Sequence, residues 1–343
     1  MVSAAVITGS GRALPARYEQ GEVWDGYFAE KYAGLRAAER VFHAAGVRSR
    51  HAVVNPVDED VSQWGTGARM ERYVTEGLPL GKQAVAAALD AAGLAPGDVG
   101  QFAVATCTGY ATPGLDIRLS SDLGMPLGLQ RLLVGHMGCY AALPGLAAVS
   151  DFVTARSRPA VLLCLELTSL HVQPAVADLE QVVTHALFSD AAAAVVVEPA
   201  ARRGRRVAGM VARTDHATAD HMTWDVTDLG FRMGLSPRVP DVLARHVGGV
   251  VEELLTEAGL RVEDVAGWAV HPGGPRILDV VRDELGLAEE QMTPSRRVLA
   301  EHGNCSSATV LLVLDELGDV DGPVVAMAFG PGLTLYATLL LPA

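Results

Sequence analysis

One pattern of apolar and polar positions, which predicts a helix followed by a strand, occurs twice along the chain. Residues 92–104 run from a helix end (AGL) through a short turn (DV) to an apolar strand-like segment (FAV). Residues 258–270 repeat this order as AGL, DV and WAV, displaced throughout by 166 residues, from 92 to 258. Two copies of an alternating helix–strand unit predict two similar α/β halves that pack together.

Further apolar runs predict buried strands, several of them at corresponding places in the two halves. They occupy residues 4–7, 131–134, 160–164, 191–197, 323–328 and 333–341. The basic stretch 201–206, ARRGRR, separates two of these runs and is typical of a solvated linker, with docking of an acidic carrier protein as the alternative. We therefore expect an N-terminal half over residues 1–200 and a C-terminal half over residues 207–343.

Helical spacing of apolar residues predicts that residues 18–45 are mostly helical and that residues 81–92 form a helix. The compact basic turn 46–51, GVRSRH, is typical either of a solvated loop or of a site that binds an anion. Residues 57–77 are polar and irregular, and their pattern predicts no regular element.

Composition narrows the class of protein. The chain has 343 residues, half of them hydrophobic, and a net charge of −13, which allows a large core and disfavours binding to nucleic acid. An uncharged apolar run of about 18 residues is absent from the sequence, and so is a basic N-terminal region, so we expect neither a membrane span nor a signal peptide. The four cysteines lack the spacing of a zinc site, which favours free thiols in a reducing cytoplasm and no metal.

A cysteine stands where the run 131–134 gives way to an Ala-rich helical segment, in GHMGCYAALPG at 135–145. Gly138 permits a tight turn before Cys139. A thiol at a helix N-terminus is stabilised as thiolate by the helix dipole and the free N–H groups. A buried, inert cysteine shows the same local pattern, so the case for a nucleophile depends on two later stretches.

Those stretches supply a histidine and an asparagine. His271 ends the strand-like segment 268–270 and is followed by PGGP, and Asn304 opens a helical segment in HGNCSS. In a duplicated α/β fold we expect both to meet Cys139 near the centre. Imidazole activates a thiol, and a neutral amide donates a hydrogen bond to developing negative charge. The set suits acyl transfer through a thioester and stabilisation of an enolate formed by decarboxylation. A papain-type hydrolase uses the same residue types without predicting the duplication.

Four motifs, taken together, resemble the type III polyketide synthases of the chalcone synthase superfamily, and bacterial members most of all. They are MGC at 137–139, HPGGP at 271–275, GNCSS at 303–307 and FGPGL at 329–333. The resemblance implies an α/β thiolase-like fold with two pseudo-duplicated αβαβα halves. Ketoacyl synthase III enzymes share that fold and the Cys-His-Asn set, but they usually follow the His with Gln-Ala-Asn.

The resemblance also implies roles for the three residues. Cys139 would accept the starter acyl group and hold the growing chain. His271 would keep Cys139 ionised. His271 and Asn304 would bind the malonyl thioester carbonyl and stabilise the enolate, and the backbone N–H of Cys139 could complete an oxyanion site.

Further positions are implied only by the same resemblance. Phe188 and Phe231 match gatekeeper residues, Thr112 falls where a partner subunit reaches into the site, and Arg48 and Arg50 lie near the CoA-contacting segment. Cavity positions are also implied. They are His171, Ser306, Gly273 and Gly274. His171 departs from the small residue of plant members, so their ring size and substrate do not carry over.

We therefore expect a homodimeric, cytoplasmic acyltransferase that condenses an acyl-thioester starter repeatedly with malonyl-CoA and cyclises the product to a pyrone or a phenol. No metal or redox cofactor is implied, and an acyl carrier protein is a possible source of the starter. Two alternatives stay open. One is an enzyme that makes a single condensation or acyl transfer, as ketoacyl synthase III does. The other is a catalytically silent binding partner of a carrier protein. The presence of all three residues, Cys139, His271 and Asn304, argues against this second alternative.

Overall fold

A mixed nine-stranded sheet forms the centre of the fold in this computed structural model, which describes residues 4–343. The strands in chain order are β1 (Ala5–Ala13), β2 (Arg17–Glu19), β3 (Ser49–His51), β4 (Gln101–Thr106), β5 (Gln130–Gly135), β6 (Ala160–Leu167), β7 (Asp190–Pro199), β8 (Arg205–Thr214), β9 (Met222–Thr227), β10 (Gly230–Leu235), β11 (Gly267–Val270), β12 (Val324–Gly330) and β13 (Thr334–Pro342). β2 pairs with β3, and β9 pairs with β10, in two small separate sheets.

The order of strands in the large sheet shows the duplication directly. From one edge it runs β11-β12-β13-β8-β1-β7-β6-β4-β5. Counted outward from β1, the strands of the first half are β7, β6 and β4, and counted outward from β8, those of the second half are β13, β12 and β11. In each half the second and third of these strands pair in parallel, β6 with β4 and β12 with β11. The predicted repeat of an α/β unit is therefore confirmed. The boundaries at residues 200 and 207 stay a prediction, and residues 1–3 of the first half lie outside the described residues.

Helices cover both faces of the sheet in three layers. They are α1 (Gln20–Val23), α2 (Ala29–Lys31), α3 (Ala38–His43), α4 (Thr66–Ala92), α5 (Leu115–Asp122), α6 (Ala142–Arg156), α7 (Leu179–Leu187), α8 (Val239–Glu257), α9 (Pro275–Leu285), α10 (Thr293–His302) and α11 (Thr309–Leu317). α6 and α11 share one core with strands of both halves, which makes them the central layer. α4 and α5 cover the outer face of one half, and α8 and α9 cover the outer face of the other.

The prediction that residues 18–45 are mostly helical is confirmed, but the segment is not one straight helix. The structure divides this segment into β2, the short helices α1 to α3 and a π-helical turn, Trp24–Phe28. The rings of Trp24 and Phe42 lie 5.0 Å apart, whereas a straight helix would separate them by about 27 Å. Burial of aromatic side chains in one compact cluster therefore bends the chain between these helical pieces.

The helix predicted over residues 81–92 is real but much longer, because α4 includes the second half of the unassigned stretch 57–77. The sequence did not predict the full length of this helix because it contains several glycines. A Cβ at Gly81 would lie 2.9 Å from Leu119 and 3.2 Å from Leu163, so the missing side chain lets α4 pack closely on its neighbours.

Residues 138–156 are long and apolar enough to cross a membrane by composition alone. The structure buries 67% of the apolar window in this segment, since α6 belongs to the central layer of the core. Its hydrophobicity is therefore explained by packing inside the protein.

Candidate active site

Cys139 lies in a 3-10 turn, Gly138–Tyr140, between the end of β5 and the start of α6. Gly138 has a φ of 76°, and a Cβ there would lie 2.6 Å from Cδ of Pro331, so a side chain fits neither the backbone nor the space. The predicted tight turn before Cys139 is confirmed. The cysteine itself is only 6% exposed.

Asn304 is presented by a similar turn in the second half. Gly303 ends α10 with a φ of 69°, and a Cβ there would lie 2.9 Å from Cβ of Ser189. The Oδ1 atom of Asn304 accepts a hydrogen bond of 2.9 Å from the N–H of Ser306. This bond fixes the orientation of the amide and leaves its NH₂ group as a donor.

His271 directly follows β11. Its N–H donates to the carbonyl oxygen of Met327 in β12 at 2.8 Å, which continues the pairing of the two strands up to the histidine. The residue is 1% exposed, and within residues 4–343 neither ring nitrogen has a hydrogen-bond partner. Both nitrogens are therefore available to a bound molecule.

One apolar cavity of about 500 Å³ is lined by all three residues, Cys139, His271 and Asn304. The structure thus brings Cys139 together with His271, 132 positions further along the chain, and with Asn304, 165 positions further along. Three other predicted positions line the same cavity. They are Phe188, Gly273 and Gly274. The remaining wall is mostly aliphatic and comes from α3, α7, α8 and α9.

Burial sets the protonation of the two titratable groups. It raises the pKa of the Cys139 thiol to about 12, although a hydroxyl from Ser306 and the amide of Asn304 both favour the thiolate. Burial also lowers the pKa of His271 to about 3. Burial therefore favours a neutral thiol and a neutral imidazole in the free protein, and the role of His271 in keeping Cys139 ionised stays a prediction.

Phe231 and His171 lie behind the cavity wall. Their rings stack with centroids 4.6 Å apart, and both line a separate pocket of about 60 Å³ that Phe188 also borders. The Nε2–H of His171 donates to the carbonyl oxygen of Thr108 at 2.6 Å, and its Nδ1 accepts from the N–H of Phe231 at 2.9 Å. Of the two predicted gatekeepers, Phe188 therefore borders the large cavity and Phe231 supports the wall from behind.

Trp224 closes this group and was not identified as a site residue from the sequence. Its indole N–H donates to the carbonyl of Cys107 at 2.7 Å, and its ring meets those of His171 and Phe231 edge-on. Trp224 also lines a pocket of about 20 Å³ directly beside Cys139. The sequence offered only a tryptophan in a polar hairpin as a signal.

Ser306 connects Cys139 to a buried carboxylate. The Ser306 hydroxyl lies 3.4 Å from Sγ of Cys107, whose N–H donates to Glu166 at 2.9 Å. Glu166 also accepts from the hydroxyl of Ser307 at 2.6 Å. Burial raises the pKa of Glu166. In the sequence, Glu166 could have been noticed as the single charged residue inside the apolar strand β6.

The CoA contact predicted for Arg50 is corrected, and that of Arg48 stays a prediction. Arg50 is buried, and its guanidinium donates to carbonyl oxygens of the protein, among them those of His185 and Ala186, so it is not accessible to a phosphate. Arg48 is exposed but forms an ion pair with Glu301.

Thr112 lies in an exposed loop, where its hydroxyl donates to the Tyr110 hydroxyl at 3.2 Å. It does not line any of the three pockets found among the described residues.

Arg276 is a cation that sequence reasoning missed. It is exposed in the first turn of α9 and contributes to the wall of the large cavity. Within the described part of the chain it forms no ion pair. In the sequence, its position directly after the motif HPGGP could have indicated that it lies at the cavity.

Comparison with protein families identifies both halves. Residues 3–200 match the model for the N-terminal domain of chalcone and stilbene synthases, and residues 210–342 match the model for their C-terminal domain. A 1,3,6,8-tetrahydroxynaphthalene synthase of Streptomyces peucetius subsp. caesius is 36% identical, over 95% of this chain and 90% of its own. The alpha-pyrone synthesis polyketide synthase-like Pks18 of Mycobacterium tuberculosis is 31% identical, over 88% and 81%.

Solved structures agree with this result. A tetrahydroxynaphthalene synthase of Streptomyces coelicolor A3(2), described as a bacterial type III polyketide synthase, has a TM-score of 0.92 at 27% identity over 98% of this chain and 99% of its own. PKS-I from the brown alga Ectocarpus siliculosus has a TM-score of 0.94 at 27% identity over 100% and 99%. The thiolase-like fold expected from the four motifs is confirmed.

The raised pKa of Cys139 predicts how its reactivity depends on pH. Alkylation of the free protein by iodoacetamide is expected to rise about tenfold per pH unit between pH 7 and pH 9, because only the thiolate reacts and its fraction grows toward the raised pKa. Mass spectrometry of the labelled peptide measures the rate, and Cys139→Ala identifies the site. A rate that is already constant below pH 7 would show a resting thiolate–imidazolium pair and contradict this expectation.

Proposed function

Because the chain belongs to the chalcone and stilbene synthase family and is a type III polyketide synthase, an acyltransferase, we propose that Cys139, His271 and Asn304 carry out its chemistry. The observation that supports this assignment is their convergence on one buried cavity with an apolar wall. The reaction proposed is repeated decarboxylative condensation of an acyl-thioester starter with malonyl-CoA, followed by cyclisation to a pyrone or a phenol.

The first step loads the starter. The sulfur of Cys139 attacks the thioester carbonyl, a new C–S bond forms, and the CoA thiolate leaves and takes up the proton that Cys139 gives up. His271 is neutral in this environment and can relay that proton through its unpartnered nitrogens. The N–H of Cys139 stabilises charge on the carbonyl oxygen.

The second step extends the chain. Malonyl-CoA loses carbon dioxide, and the electron pair of the broken C–C bond passes into the thioester as an enolate. The Asn304 NH₂ group and an N–H of neutral His271 donate to the enolate oxygen. The enolate carbon then attacks the acyl group on Cys139, a C–C bond forms, and the Cys139 thiolate leaves. Every step conserves the oxidation state of the whole system, so the chemistry itself requires no redox cofactor.

We propose that CoA phosphates bind at the mouth of the cavity, where Arg276 forms part of the wall. Two more exposed arginines adjoin wall residues, since Arg40 precedes Val41 and Arg238 follows Pro237. We propose that these three cations surround the opening and give a chain of net charge −13 a local attraction for an anion. This group replaces Arg50 as the expected contact.

A homodimer is proposed from the free edge of the sheet. β5 ends the nine-stranded sheet, and the sheet order gives it no second neighbour among the described strands. Exposed apolar side chains surround that edge, among them Leu133 at 48% and Tyr110 at 62% exposure. An apolar strand edge of this kind is covered when a second copy pairs with it. Thr112, which bonds to Tyr110, would then lie close to the partner subunit.

Two further proposals concern the surroundings of the enzyme. A cytoplasmic location is proposed because the four cysteines are free and buried. Delivery of the starter by an acyl carrier protein is kept as an alternative to CoA. The basic stretch 201–206 is a weak docking surface for such a carrier, since Arg203 and Arg205 donate to carbonyl oxygens of the protein.

Mass spectrometry tests the assignment of Cys139. The protein is incubated with a panel of acyl-CoA starters and isotope-labelled malonyl-CoA, and we expect an acyl adduct on Cys139 together with products that hold two or more malonyl-derived units. Cys139→Ala is expected to abolish the adduct completely. The matched control is Cys164→Ala, in the apolar strand β6, which is expected to keep it.

Other outcomes of that measurement are equally informative. Products with one malonyl unit would indicate a single condensation and contradict the iterative proposal. An adduct that forms from acyl carrier protein and not from any CoA ester would contradict delivery by CoA. An adduct that persists in Cys139→Ala would move the nucleophile to another residue.

Substitution of Arg276 tests the phosphate contact. Arg276→Ala is expected to raise KM for malonyl-CoA about tenfold with little change in kcat, because a charge-assisted contact far from the reacting atoms contributes equally to ground and transition states. Arg48→Ala is the control, since that guanidinium already pairs with Glu301. Equal KM values for the two variants would contradict the role of Arg276.

Sedimentation velocity tests the dimer. The unmodified protein is expected to sediment as a dimer and Leu133→Lys as a monomer, because a buried charge at the strand edge opposes pairing. Val226→Lys provides the control, since this valine is exposed on a strand of the small sheet β9–β10. A monomeric unmodified protein would rule out the proposal.

A further inference from the structure

Arg50 is a buried cation whose partners are carbonyl oxygens. Its guanidinium donates to the carbonyls of His185 at 2.6 Å, Ala186 at 2.7 Å and Phe188 at 3.2 Å. It also donates through Nε to the side-chain oxygen of Gln20 at 2.9 Å. Among the described residues no carboxylate forms an ion pair with it.

These acceptors form one feature, the C-terminal end of α7. The last carbonyls of a helix lack partners within the helix and carry partial negative charge. The planar fork of an arginine satisfies several of them at once and compensates the charge. Burial lowers the pKa of Arg50 to about 10, so the group remains protonated at neutral pH. Arg50 therefore acts as a charged cap on this helix.

The capped end of α7 leads straight into contact with Asn304. Phe188 and Asn304 form a parallel β-bridge. The N–H of Asn304 donates to the carbonyl of Leu187 at 2.8 Å, and the N–H of Ser189 donates to the carbonyl of Asn304 at 3.0 Å. The main chain of Asn304 is thus held on both sides by residues 187–189, a segment that begins directly after the capped carbonyl of Ala186 and includes that of Phe188.

Strand β3, which carries Arg50, also contacts the other side of the same loop. The hydroxyl of Ser49 donates to the carbonyl of Glu301 in the last turn of α10 at 2.8 Å. The N–H of His51 donates to the hydroxyl of Ser189 at 2.8 Å. Three consecutive residues of β3 therefore join the end of α7 to the end of α10, immediately before Asn304.

We propose that Arg50 is a positioning residue for the extension step, which caps α7 and thereby holds segment 187–189 in the place where it fixes Asn304. The inference rests on the proposed function of Asn304 as the donor to the enolate. Cys139 is placed by a different element, the turn before α6, so starter loading depends less on Arg50 than malonyl decarboxylation does.

The test measures the two half-reactions separately. Release of labelled carbon dioxide from malonyl-CoA reports decarboxylation, and intact-protein mass spectrometry reports loading of Cys139 in a single turnover. We expect Arg50→Met to lower the decarboxylation rate about a hundredfold, because small displacements of a catalytic group have effects of that size. The loading rate is expected to change by less than about threefold, and Arg50→Lys to recover part of the decarboxylation by restoring the charge.

Arg69→Met is the matched control. Arg69 is equally buried and also donates to carbonyl oxygens, including those of Trp64 and Val61, but it is not hydrogen-bonded to segment 187–189 or to Asn304. It is expected to lose stability without changing the ratio of the two rates. A parallel loss of both rates in Arg50→Met, or an unchanged ratio, would overturn the positioning inference.

Asn304→Ala separates this inference from the proposed function. If Asn304→Ala still decarboxylates malonyl-CoA at the normal rate, the proposed role of Asn304 fails. If Asn304→Ala loses decarboxylation and the Arg50 variants keep it, only the positioning inference fails. Should Arg50→Met not fold, Arg50→Lys and Gln20→Leu make the same comparison, since Gln20 bonds both to Arg50 and to the carbonyl of Ala186.

Discussion

Removal of water from the reacting groups is the constraint on which the rest of this site depends. Cys139, His271 and Asn304 are almost inaccessible, and burial disfavours a charge on the thiol and on the imidazole. The same surroundings strengthen every hydrogen bond that a transient charge can receive. In the free protein, Cys139 and His271 therefore carry little charge. The site holds donors in place for the charges that arise during the reaction.

The duplicated fold supplies the geometry that this arrangement needs. Cys139 and Asn304 each follow a glycine with positive φ, and each lies just before a helix of the central layer. The two turns come from corresponding places in the two halves, so one backbone device presents both groups to the shared cavity. His271 reaches that cavity from the end of a strand, where the sheet itself restrains its main chain.

Local patterns in three separate stretches, read together with the family resemblance, were sufficient to predict that these three residues meet, because glycine turns and strand ends are visible over a few positions. The repeat of helix and strand also revealed the fold class. The contacts behind the positioning role proposed for Arg50 could not be found in this way, because its carbonyl acceptors lie 135 to 138 residues further along the chain. The bend of residues 18–45 escaped prediction for the same reason, since the contact between Trp24 and Phe42 exists only in three dimensions.

The bridge between Phe188 and Asn304 couples two properties that are often treated as separable. Phe188 lines the cavity beside Cys139, and Asn304 is one of the three residues proposed to react, yet the two share one stretch of paired backbone. Insertion or deletion next to either residue would disturb both selectivity and turnover. This wall can therefore vary through substitutions that change the volume of its side chains. Insertions and deletions are tolerated only in loops remote from the bridge.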